Sequence, residues 1–172
     1  MLTRLQRSLS TYDRTVRWVT QDQMHLTLKF LGEVEDHRVS VVTDALASTA
    51  AELAALTLAS DGAGCFPPGG KVRVVWVGLG GDQAPLLDCQ RKVESALESI
   101  GFPREHRPFS PHLTLGRVKD DRTGGALRDA VAGLGPPELT QAVVSIVLMS
   151  SELRPEGARY TRVGEWKLGA GH

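Results

Sequence analysis

The stretches "HLTLKF" (His25–Phe30) and "HLTLGR" (His112–Arg117) carry the same four residues, His-Leu-Thr-Leu. In a strand, side chains at i and i+2 share a face. Extended, the first copy shows His25 and Thr27 on one face, with Leu26, Leu28 and Phe30 on the other. The second repeats the pattern, with His112 and Thr114 opposite Leu113 and Leu115. Burial against a core explains the leucines. Nothing in packing demands an imidazole beside a hydroxyl on the polar face twice. If the two strands lie in two related lobes, the paired imidazoles face one cleft and form one site.

Two imidazoles suit a single task. An unperturbed imidazole titrates near pH 6.5, so near neutrality one of a pair can be neutral and the other protonated. The neutral ring takes a proton from water, and the charged ring gives one to a leaving oxygen. A neighbouring threonine hydroxyl donates to charge building on the group between them. Together these make a metal-free hydrolysis of a phosphodiester. Competing chemistry has no comparable support. The chain holds no G-x-S-x-G elbow, no HExxH, no G-x-G-x-x-G and no phosphate-binding G-x-x-x-x-G-K-[ST] string. Its acidic residues show no metal-ligand spacing, so neither a metal nor a cofactor is expected.

The bulk properties bound the rest. A chain of 172 residues fits one domain, or two small lobes. With 20 basic and 20 acidic residues the formal charge is zero, which excludes a broad cationic coat for nucleic acid but not a few local phosphate contacts. Cys65 and Cys89 form no CxxC pair and read as reduced, buried thiols. No apolar run is long enough to span a membrane, and "MLTRLQRSLSTYDRTVRWV" lacks the apolar region of a secretory signal. A cytoplasmic protein is expected.

Helical spacing of Leu2, Leu5 and Leu9 predicts a short helix over 2–10, and "VRWV" (16–19) a strand. Met24–Leu31 alternates as a strand does. Residues 36–55 and 83–100 read as long helices, the second ended by Gly101. "LTLAS" (56–60) is a short strand and "DGAGCFPPGGK" a loop by composition. "VRVVWVGL" (72–79) is the strongest strand signal. A Pro-rich loop leads into the second HLTL strand, a short helix is expected over 124–133, and two stretches near the C-terminus read as closing strands. Irregular alternation with short turns predicts an α+β fold with antiparallel sheets rather than a doubly wound parallel sheet.

The strings "RWVTQDQMHLTLKFLGEV" (17–34), "GCFPPGGKVRVVWVGL" (64–79) and "RPFSPHLTLGRV" (107–118) resemble the two-histidine phosphoesterases. Among these the chain is most similar to the RNA 2′,3′-cyclic phosphodiesterases, once described as 2′–5′ RNA ligases. The resemblance runs from about Arg17 onward. It implies a single phosphoesterase domain of two pseudo-symmetric lobes, with two antiparallel sheets lining a central cleft and helices packed outside. It implies an enzyme that opens a terminal 2′,3′-cyclic phosphate to a 2′-phosphomonoester. By motif, His25 is the general acid on the leaving 3′ oxygen and His112 the general base on water, with Thr27 and Thr114 on phosphate oxygens. Arg117 would add a cationic contact, although strict alternation puts it on the Leu113 face unless the strand bulges or ends at Gly116.

Other residues weigh less. Arg107 either meets phosphate or ties down its loop. Lys29 reads as a solvated edge lysine, and Phe66 as a base-stacking ring or a loop anchor. His37, His106 and the terminal His172 read as surface histidines. Relatives usually begin with an apolar strand that this chain lacks, which predicts an exposed sheet edge and, through it, a homodimer. The expected partner is an RNA end or a small cyclic nucleotide. Action on a 2′–5′-linked oligonucleotide, 2′–5′ ligation and non-catalytic binding of RNA ends stand as alternatives.

Overall fold

A computed structural model of the chain describes residues 2–135, 138–154 and 157–169; His172 lies outside them. The fold is α+β. The valine-rich run around Trp76 forms β3 (Val74–Gly81), the middle of a five-stranded sheet. The sheet's other strands are β1 (Val16–Trp18), β4 (His112–Val118), β2 (Leu56–Phe66) and β5 (Thr140–Val143), in the order β1-β4-β3-β2-β5. The β1–β4, β3–β4 and β2–β3 pairs are antiparallel. A two-stranded antiparallel sheet follows, β6 (Ser145–Arg154) with β7 (Gly157–Lys167).

The chain divides into two compact units, each with its own core. One unit comprises 1–27, 58–81 and 110–141. Here Val75, Val77 and Leu115, each 0% exposed, meet α1 (Leu2–Ser8) through Leu2 and Leu5 and α4 (Ala126–Ala132) through Leu127 and Val131. Burying one such side chain contributes about 1.5–3 kcal/mol. The helices thus pack on the core face of the sheet. In the other unit, α2 (Asp36–Ala51) and α3 (Gln83–Ser99) enclose Val42, Leu46, Cys89, Val93 and Leu97 with Ile146 of β6. Arg38 closes the end of α3, donating to the Ile100 carbonyl at 2.6 Å with its guanidinium over the Phe102 ring.

Three expectations are corrected. Residues 24–31 form no continuous strand: only Leu26 bridges, antiparallel to Leu113. Alternation does predict extended backbone, but a ladder needs a partner at every step. Second, "DGAGCF" is not loop but the far half of β2, which shifts register between Ser60 and Ala63 around Gly62 at φ +72. Gly64 belongs in the strand for a packing reason, since a Cβ there would sit 2.4 Å from the Trp76 ring. Third, Phe30 is 81% exposed rather than turned to a core. Cys65 and Cys89 are free and buried, and burial pushes both thiols up from their ordinary pKa.

Candidate active site

His25–Thr27 of the first string and the whole of the second fall in the first unit, where they meet each other. The bridge joins Leu26 to Leu113, the second residue of each string. Antiparallel register through that pair sets His25 across from Thr114 and Thr27 across from His112. The leucines share one face, so both imidazoles and both hydroxyls share the other. The two copies are therefore related by a local two-fold. Diagonal neighbours in such a pair lie roughly 7–8 Å apart at Cα, a gap that admits a phosphoryl group between two rings.

Each ring is held the same way. His25 Nδ1 lies 2.8 Å from the Gln23 carbonyl oxygen, and His112 Nδ1 lies 2.7 Å from that of Ser110. A carbonyl only accepts, so Nδ1–H donates in both copies. The partner is backbone two residues upstream, so no particular side chain in the sequence signals it. Around His112, the Phe66 ring stands at 5.1 Å and 77°, and the Trp76 ring at 6.4 Å and 59°. Phe66 closes β2 and packs on Trp76 at 5.1 Å, so it walls the imidazole instead of anchoring a loop. Both aromatics were beyond sequence reasoning as neighbours of His112. The only trace was alternation in β3, where Trp76 opposes Val75 and Val77.

The Arg117 question is decided by a bulge. Val75 pairs with Gly116 while Trp76 pairs with Thr114, leaving Leu115 as the extra residue on β4. Two successive residues, Leu115 and Gly116, then face the core. A Cβ at Gly116 would lie 2.5 Å from Val16 Cγ1 and 2.7 Å from the Trp18 ring, so only glycine fits. Past the bulge Arg117 pairs with Val74, on the face of Trp76, Thr114 and His112. Gln6 secures the bulge by donating to the Leu115 carbonyl at 3.0 Å, which also accepts from Val19 N–H at 2.9 Å.

The lesser candidates separate from this cluster. Lys29 is not a solvated lysine. Its ammonium sits 2.7 Å from Glu94 Oε2 and 2.7 Å from the Pro103 carbonyl, with the two side chains 5% and 6% exposed. The extended segment delivers it into the second unit, where a buried carboxylate meets it. Arg107 pairs with Glu105 at 2.8 Å on the surface, and its guanidinium holds that carboxyl down to about 2. His37 and His106 are exposed. Among the described residues, no three His, Cys, Asp or Glu side chains gather as a metal site.

Two imidazoles and two hydroxyls that share one face about the Leu26–Leu113 bridge define a class of protein fitted to acid–base work on a phosphate ester. The comparisons with known proteins agree. The model of the 2′-5′ RNA ligase superfamily matches residues 3–154, and the chain belongs to that superfamily. It is 33% identical to the RNA 2′,3′-cyclic phosphodiesterase of Methanothermobacter thermautotrophicus, over 97% of this chain and 90% of the relative. It is 35% identical to the enzyme of the same name from Aeropyrum pernix, over 96% and 94%. Among solved structures, TT0787 of Thermus thermophilus superposes with a TM-score of 0.83 at 25% identity, covering 99% of this chain and 91% of that one. E. coli LigT complexed with 3′-AMP gives 0.74 at 25% identity, over 98% and 92%.

Proposed function

We propose that this chain is an RNA 2′,3′-cyclic phosphodiesterase that opens a terminal cyclic phosphate to a 2′-phosphomonoester. The carrying observation is the local two-fold about Leu26–Leu113, which gives each copy an imidazole with its Nδ1 committed to backbone. His112 Nε2 takes a proton from water as the water oxygen bonds to phosphorus. The bond from phosphorus to the 3′ oxygen breaks, and His25 Nε2 protonates that oxygen. Thr27 and Thr114 donate to the non-bridging oxygens, and Arg117 offsets their charge. Both rings commit Nδ1 to backbone in the same way, so the assignment of acid and base follows the order of the family's motifs. With a 5′-hydroxyl in place of water as the nucleophile, the same groups form a 2′–5′ linkage, and the reverse of that step cleaves it. The names of the relatives and the 3′-AMP bound by E. coli LigT support a nucleotide ligand.

Phosphorus NMR of a 2′,3′-cyclic nucleotide, with the intact chain and with His25→Ala and His112→Ala, tests the function. The expected outcome is 2′-phosphate from the intact chain, with about 10²–10⁴-fold less from either variant. A 3′-phosphate product, or full activity in either variant, overturns the proposal. The rate is expected to fall at both acidic and alkaline pH, since one ring must be neutral and the other charged. EDTA is expected to change nothing.

A cytoplasmic location belongs to the same proposal. No described helix is long and apolar enough to cross a membrane, and both thiols are free. So does a homodimer paired through an exposed sheet edge. Light scattering that gives the monomer mass at micromolar concentration removes the dimer.

A further inference from the structure

Arg17 and Arg117 are direct cross-strand partners on β1 and β4. Their neighbours on the same strands, Val16, Trp18 and Gly116, are turned to the core, so both arginines stand on the His112 face. Both are exposed. Like charges directly opposite in an antiparallel pair repel. Several other exposed arginines are relieved by carboxylates, as Arg107 is by Glu105, Arg104 by Glu98 and Arg122 by Asp120, whereas here two unrelieved guanidinium groups face each other. Among the described residues neither Arg17 nor Arg117 has an ion pair or a side-chain hydrogen bond. An unrelieved guanidinium pair on the site face calls for an anion from outside.

A single terminal phosphate does not use the pair fully. Arg117 is the member nearer to His112 in the sheet, since β4 carries both, and Arg17 lies one strand further out at the sheet's edge. Adjacent strands are about 4.8 Å apart, so the second guanidinium extends the cationic surface beyond the reacting phosphate. We infer that Arg17 binds the internucleotide phosphate next to the cyclic end, and that the enzyme therefore prefers oligonucleotide ends to free cyclic nucleotides. The inference rests on the phosphodiesterase function proposed above and adds a residue that sets specificity beyond the reacting phosphate.

The test compares intact chain, Arg17→Ala and Arg17→Lys on two substrates, a mononucleoside 2′,3′-cyclic phosphate and a short RNA with a 2′,3′-cyclic end. Oligonucleotide affinity is also measured by fluorescence anisotropy over a salt series. With Arg17→Ala, kcat/KM on the RNA is expected to fall about tenfold further than on the mononucleotide, through KM. The slope of log affinity against log salt should shrink by about 0.7, the share of one phosphate contact on a single strand. Arg17→Lys should recover most of both. Equal losses on the two substrates, or an unchanged salt slope, overturn the inference. Should the intact chain hydrolyse neither substrate while the salt slope still drops in Arg17→Ala, the phosphodiesterase proposal fails and the phosphate contact stands. Removing the repulsion should also raise the Tm of Arg17→Ala without RNA; a lower Tm counts against an unrelieved pair.

Discussion

The two HLTL strings are identical in sequence and unlike in support. The second is β4, laddered to β1 on one side and β3 on the other, with Leu115 sealed in the core. The first touches β4 at one bridge, and its continuation belongs to the other unit. The residues just beyond each string diverge as well. After the first, Lys29 is drawn into a buried pair with Glu94 and Phe30 lies in the open. After the second, Gly116 fills a slot too tight for a Cβ and Arg117 stays on the site face. A four-residue motif thus sets the chemistry presented, while the surroundings set how firmly it is held. The bridge lets the firmer copy align the looser one.

Four measurements break or sharpen that contrast. The largest effect is expected from Lys29→Ala, which strands the Glu94 carboxylate inside the second unit; breaking a buried pair from one side costs about 3–5 kcal/mol. Glu94 Oε1 already lacks a partner. Denaturant unfolding measures the loss, and a cost below about 1 kcal/mol would mean that the pair is not buried in solution. Next, Leu115→Ala should cost about 2–5 kcal/mol because it opens a cavity under the bulge. Leu26→Ala, at a half-buried position, should cost clearly less, and a reversed order would sink the contrast. Hydrogen exchange gives a third test. Amides of β4 should be protected far longer than those of 25–31, because few ladder bonds hold the first copy.

The smallest effect concerns Asp121. Its carboxylate accepts from Thr123 Oγ1 at 2.7 Å, Val72 N–H at 2.7 Å and Thr123 N–H at 3.0 Å. The Thr123 hydroxyl first, then the backbone N–H groups, hold it below the usual carboxylate range. A carboxyl lowered by folding stabilises above its unfolded value of about 3.9, and the contribution fades as pH falls through the lower folded value. Asp121→Asn should therefore lower Tm at pH 7 and differ little from the intact chain at pH 2. An equal Tm deficit at both values would mean that the loss is not electrostatic.

The sequence was enough for the α+β class, for most elements, and for the two His–Thr pairs, because these follow from local periodicity. Period-two alternation places His beside Thr on one face wherever the backbone is extended, and helical spacing marks the faces of α1 and α3. The sequence also showed that Arg117 needed a break at Gly116, since alternation alone turns it the wrong way. Only the tertiary structure decided that the break is a bulge at Leu115, because register is a relation between strands and no strand carries it alone. The same holds for Lys29, whose burial depends on finding Glu94 far along the chain. It holds for Phe66 and Trp76, brought beside His112 by pairing across β2, β3 and β4, and for Arg17 facing Arg117. Local chemistry is written residue by residue; which residues become neighbours is fixed when the strands find their partners.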